Sequence, residues 1–245
     1  MEEQQLMQLK KMNSSFITNK GKRKSNQDVV FSESIGEDRD VFLLADGMGG
    51  YKNGEYAANF IVKQAYEIVK NQESFDKSSI QLIIDEVTRA LVKENEKQGS
   101  NMGATLGGVI RNKEVFHCFW VGDVKIFQIR DKKIIYESKE HNLKNELIEN
   151  NVFVEANNAK KYNHVVTRSI HNDVSKAKID YKCIKDFKQD DYIILASDGV
   201  TDVLSNYELL EILNSKKDIS GILLELEERL LKTAKDNYSF ILMTK

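Results

Sequence analysis

Proline is absent from the chain, so Gly, Asn and Asp must make the turns, and each of the 13 glycines carries more information than usual. Cysteine is nearly absent. Cys118 and Cys183 lie far apart in apolar alternating segments and read as small buried hydrophobes in a reducing compartment, which excludes a disulfide scaffold and a zinc-thiolate centre. No window approaches the roughly 18 apolar residues of a membrane span. The opening MEEQQLMQLKKMN lacks the basic-then-apolar order of a secretory signal, so a cytoplasmic protein is expected. Excess charge of either sign is lacking too: 36 Lys and Arg against 38 Asp and Glu leave a net charge of -2, with no push toward nucleic acid or a membrane surface.

What is present fits one sizeable domain over the 245 residues, with 41% hydrophobic residues to build its core. Strands are expected at Asp28 to Ser32 and Val41 to Ala45. Helical spacing of apolar residues follows from Asn53 to Lys70 and from Ser78 to Glu96. Thr105 to Ile110, Val115 to Val121, Lys125 to Ile129 and Lys133 to Tyr136 resemble an antiparallel meander with short turns. Glu140 to Lys161 is polar and Asn-rich, a surface excursion able to cover a site. A strand at Asp191 to Ser197, helices at Asn206 to Leu213 and Ile219 to Ala234, and a strand at Tyr238 to Met243 complete the order. That order favours an α+β fold, a four-layer α/β/β/α sandwich of two antiparallel sheets flanked by helices, over a parallel doubly wound sheet.

Four acids sit where strands meet loops. Asp46 follows VFLLA, Asp198 follows YIILAS, Asp28 opens a strand, and Asp236 precedes the last one. Each alone is ordinary turn chemistry. Gathered at one sheet edge they would repel and raise one another's pKa unless cations neutralised them, so the set points to hard metal ions. Oxygen donors without Cys or clustered His select Mg²⁺ or Mn²⁺ over Zn²⁺. Gly47, Gly49 and Gly50 would let backbone approach a metal or phosphate. GMGG matches neither the G-x-x-x-x-G-K-[ST] nor the G-x-G-x-x-G nucleotide signature.

Eight blocks in order then carry a resemblance: GKRKSNQD from Gly21, ADGMGGYKNGEYAA from Ala45, MGATLGG from Met102, VGDVKIF from Val121, EHNL from Glu140, VVTRSI from Val165, ASDGVTDVLSNYEL from Ala196 and DNYSFILM from Asp236. Together they resemble the metal-dependent protein Ser/Thr phosphatases of the protein phosphatase 2C class, in their compact bacterial single-domain form. The resemblance implies that Asp46 bridges two Mn²⁺ or Mg²⁺ ions, that the Gly47 carbonyl serves one of them, and that Asp198 and Asp236 complete the other. It further implies that Asp28 holds waters on the ions, that Asp123 joins Asp198 at a weaker third ion, and that Arg23 grips the substrate phosphate. The expected partners are phosphorylated proteins opposing a Ser/Thr kinase, the expected state is a monomer, and the variable flap falls at about 140–165.

Several positions depart from the pattern. Gln27 replaces the usual Glu, removing a negative charge near the metals. Met48 stands where animal relatives have a histidine, VGDVK replaces VGDSR, and His171 replaces the glycine that ends TRALG. A binding protein that keeps the fold without the chemistry is the alternative these departures raise, and retention of every inner acid weighs against it. His141 falls in a matching block as a candidate for orienting the site, Arg168 reads as a structural ion pair, Lys22, Lys24 and Lys125 as solvated charges, and Phe116, Phe119 and Trp120 as sheet core.

Overall fold

A computed structural model describes residues 12–48, 51–215 and 218–245. Gly49 and Gly50, read above as part of the glycine turn, lie outside the described residues. Two antiparallel five-stranded sheets are formed. One has the order β2-β3-β4-β5-β8, from strands Asp28–Ile35, Arg39–Met48, Gly103–Asn112, Val115–Val121 and Asp180–Ile184. The other has the order β1-β10-β9-β6-β7, from Asn13–Asn19, Tyr238–Thr244, Tyr192–Ala196, Lys125–Arg130 and Lys133–Glu137.

Strand alternation sorts the apolar side chains into three cores, which is why four layers form. Phe42, Leu44, Cys118 and Trp120 face inward and meet Ile126, Ile193, Leu195 and Ile241 of the opposite sheet. Their neighbours Leu43 and Phe119 point the other way and pack on Ile61, Ala65, Ile84 and Leu91 of helices α1 (Tyr51–Val69) and α2 (Lys77–Gln98). On the far side Phe127, Ile194 and Phe240 take Ile212, Leu226 and Leu230 of α6 (Asn206–Ser215) and α7 (Ile219–Thr233).

The four-strand series is not one meander. β4 pairs with β5 and β6 with β7, but β5 and β6 belong to different sheets. The chain crosses between layers at Gly122, whose φ of +107° most side chains would not tolerate. The edge strands β1 and β8 were not legible: NSSFITN is mostly polar and Phe16 is exposed, while DYKCI buries only Ile184 fully. An edge strand needs little apolar alternation because its outer side meets solvent. Helix α1 begins at Tyr51, so Asn53 and Gly54 lie in its first turn rather than at its cap. The excursion holds two short helices, α3 (Leu143–Glu149) and α4 (Ala156–Asn163), tied back where the Leu143 N–H donates to the Val165 carbonyl at 2.8 Å.

Candidate metal centre

Antiparallel geometry carries the acids to one end of both sheets. β2 starts there and β3 ends there, with Asp28 directly opposite Asp46. In the facing sheet β9 ends and β10 begins at the same end, with Ala196 opposite Phe240, so Asp198 and Asp236 flank the paired ends. Asp123 sits in the turn where β5 passes to β6.

The electrostatics report the crowding. Burial pushes the Asp28 carboxyl up to about 6, against hydrogen bonds from Ser239 and Ser197 and with help from Asp236 and Asp123. Asp46 is raised well above the usual carboxylate range, by burial first and then by Asp28, Asp198, Asp123 and Asp236. Burial lifts Asp198 to about 8, reinforced by Asp123, Asp202, Asp236 and Asp28. Asp123 rises to about 6, chiefly by burial. Asp28, Asp46, Asp123 and Asp198 are thus raised by burial and by neighbouring carboxylates, Asp202 and Asp236 among them, the arrangement that bound cations relieve.

The donor set fits a hard divalent ion. Asp28 takes the Ser197 hydroxyl on Oδ2 at 2.9 Å, while its Oδ1 is buried without a hydrogen-bond partner among the described residues. Such an orphan oxygen is costly unless something binds it. Gly47 supplies close backbone: its N–H donates to the Gln27 carbonyl at 3.1 Å, and a Cβ there would stand 2.1 Å from the Gly54 carbonyl oxygen.

Arg23 lies at the rim, with Nη2 donating to Asp236 Oδ2 at 2.6 Å. Hydrogen bonding and charge from Asp236 raise the guanidinium pKa further, with smaller contributions from Asp198 and Asp46. The Arg23 loop is fixed by Asn237, whose Nδ2 donates to the Lys20 and Ser25 carbonyls at 2.9 and 2.8 Å and whose Oδ1 accepts from the Gln27 N–H at 2.9 Å. Asn237 was missed as a positioning residue, although an Asn directly after the last acid was the available signal. Ser197 was missed as well; besides holding Asp28 its hydroxyl accepts from the Ser239 N–H at 2.9 Å, joining the ends of β9 and β10.

His141 lies beside the turn that bears Asp123. Its Nδ1 accepts from the Gly122 N–H at 3.0 Å next to Asp123, and its Nε2 lies 3.3 Å from Asp180 Oδ2 and 3.2 Å from Arg168 Nη1. Arg168 joins the same acid at 3.5 Å, the structural ion pair expected of it. Lys125 is not a solvated charge. It is largely buried between Glu137 at 2.8 Å and Glu140 at 2.9 Å, which hold its charge against the opposing effect of burial. Neither His164 nor Asp202 was singled out from the sequence, yet with Asp198 they bring three potential ligand atoms within 4.8 Å of one another. His117 bonds Tyr181 at 2.8 Å in the sheet, away from these acids.

The family model described as "Protein phosphatase 2C" matches residues 19–232. The chain belongs to the protein phosphatase 2C family. It is 26% identical over 224 residues to the serine/threonine phosphatase stp of Listeria monocytogenes serotype 4b, covering 85% of this chain and 86% of that protein. Its fold is similar to the S. agalactiae serine/threonine phosphatase, with a TM-score of 0.85, 24% identity and coverage of 96% and 99%. It is also similar to the catalytic domain of the phosphatase PstP in complex with 2 manganese ions, with a TM-score of 0.79, 20% identity and coverage of 95% and 97%. This protein phosphatase 2C member is a metal-dependent protein phosphatase, and its buried carboxylates stand where the two sheets of the family fold meet.

Proposed function

We propose that the chain hydrolyses phosphoserine and phosphothreonine in proteins, with Asp46, Asp198, Asp236 and the Gly47 carbonyl holding two Mn²⁺ or Mg²⁺ ions, Asp28 holding waters on them and Asp123 contributing to a weaker third. The observation that carries this reading is the convergence of four acids from four strand ends, with Asp28, Asp46 and Asp198 raised in pKa by burial and neighbouring carboxylates and one carboxylate oxygen of Asp28 buried and unpaired among the described residues. Bound there, the ions would supply an activated water and neutralise charge on the phosphoryl group.

The protein's own groups divide the remaining tasks. Arg23 has a planar fork suited to two phosphate oxygens and lies at the mouth of the acid cluster, where it orients the monoester for in-line attack. Asp28, held by Ser197, accepts a proton or a water hydrogen bond at Oδ1 and so aims the nucleophile. Asn237 fixes the Arg23 loop, and His141 fixes the turn bearing Asp123. No side chain is asked to form a covalent intermediate.

Among the described residues no helix is long and apolar enough to cross a membrane. The phosphatase reading goes with a cytoplasmic, monomeric single-domain enzyme that opposes a Ser/Thr kinase. The test is hydrolysis of a phosphothreonine peptide with Mn²⁺ and with EDTA. Turnover only with Mn²⁺ is expected. Full turnover in EDTA contradicts the mechanism, and none with Mn²⁺ favours a binding protein.

A further inference from the structure

Beside the acid cluster lies an open cavity of about 480 Å³ lined by Arg23, Asp202, Val203, Thr233, Lys235 and Asp236. Its acids are already engaged: Asp236 is paired with Arg23, and Asp202 stands 3.6 Å from His164 Nδ1. Lys235 is exposed and makes no hydrogen bond or ion pair among the described residues. Next to it runs the loop with Lys20, Lys22, Arg23 and Lys24 exposed, held against the turn before β10 by the two bonds from Asn237 to the Lys20 and Ser25 carbonyls. Arg23 and Lys235 therefore put two cations on the cavity's rim, with Lys20, Lys22 and Lys24 exposed along the Arg23 loop. A uniform acidic mouth would repel phosphoproteins, whereas this rim attracts negative charge toward Arg23.

Resting on the phosphatase reading above, we propose that this cavity is a substrate subsite that selects phosphopeptides with acidic residues flanking the phosphorylated one, and that Lys235 is its specificity-determining residue. With the phosphate at Arg23, successive residues advance by about 3.8 Å between Cα atoms, so a side chain one to three positions away falls within the cavity. Val203 and the Thr233 methyl give the stem of an Asp or Glu an apolar wall, and Lys235 meets its carboxylate. Both charges stay solvated, so the preference is modest and weakens with salt. It acts on KM, because a flanking contact is made equally in the ground and transition states.

The experiment uses the full chain with Mn²⁺, as wild type, Lys235→Ala and Lys235→Glu. Three phosphothreonine peptides carry Asp, Ala or Lys pairs around the phosphoresidue, and p-nitrophenyl phosphate, which has no flanking residues, reports on the hydrolytic centre. Wild type is expected to rank the peptides Asp, Ala, Lys by kcat/KM. Lys235→Glu is expected to shift the Asp-to-Lys ratio by about tenfold through KM, with Lys235→Ala in between, and the wild-type ratio should shrink at about 0.5 M salt. The same ratio in all three proteins, or a wild type indifferent to flanking charge, overturns the proposal while leaving the phosphatase reading intact. No turnover of p-nitrophenyl phosphate by any of the three overturns that reading and the subsite with it.

Discussion

Asp236 is held by the Arg23 guanidinium at 2.6 Å, and the same carboxylate is proposed as a metal ligand, so cation and arginine compete for it. Removing the arginine should therefore have two opposite effects. Arg23→Ala is expected to raise KM for a phosphopeptide by about ten- to a hundredfold, the worth of a charge-assisted hydrogen bond, and to lower the Mn²⁺ concentration needed for half-saturation. Steady-state kinetics and a Mn²⁺ titration check the two parts, and an unchanged KM contradicts the clamp. Residue-level legibility was uneven. Asp28, Asp46, Asp198 and Asp236 announce themselves only as a set, because each alone is ordinary turn chemistry whereas four acids gathered at strand ends would repel without cations. Asn237 and Ser197 do not, because polar residues after strands are commonplace and their partners lie 210 and 169 positions away.

At the scale of elements, the site depends on how closely paired strand ends approach. Gly199, in the single helical turn Asp198–Thr201 (α5) after β9, is the tightest case: a Cβ there would stand 1.9 Å from the Asn237 carbonyl oxygen. Gly199→Ala must push α5 from β10 and displace Asp198 and Asn237 together. A stability loss of about 1–3 kcal/mol is expected, with a larger fall in kcat than in Mn²⁺-independent folding; a thermal melt and kinetics check it. A buried pair far from the acids offers the opposite signature. Arg111 Nε donates to Asp40 Oδ2 at 2.5 Å with both side chains about 3% exposed, so Arg111→Met should cost about 3–5 kcal/mol in a denaturant melt and leave kcat unchanged. Most elements could be located from hydrophobic periodicity, but β1, β8 and the layer crossing at Gly122 could not. Edge strands carry weak alternation, and a three-residue reversal looks the same whether the next strand pairs beside its predecessor or in the facing sheet.

Across the whole molecule, three apolar cores hold two sheets together while their shared end gathers buried acids. In EDTA, Asp28 and Asp123, pushed up to about 6, and Asp198, to about 8, hold protons in the folded chain that the unfolded chain releases near pH 4. Their folded pKa values are raised, so the stability they contribute is fully present below about pH 4 and is lost as pH climbs through about 6 to 8. The Tm in EDTA should fall from about pH 5 to 8, and Mn²⁺ should restore most of the loss at the upper end, where the carboxylates are ionised and ready to bind; a Tm in EDTA independent of pH contradicts this. The sandwich was legible because helices and strands alternate in blocks, whereas the convergence of the acids had to be inferred from motif order, since distances across two sheets leave no local trace. The most direct test is a calorimetric Mn²⁺ titration of wild type and Asp46→Asn. Two ions bound by wild type, with affinity at both sites lost or much weakened in Asp46→Asn, is the expected result; equal stoichiometry and affinity in the two proteins would contradict the assignment of Asp46 and with it the two-ion centre.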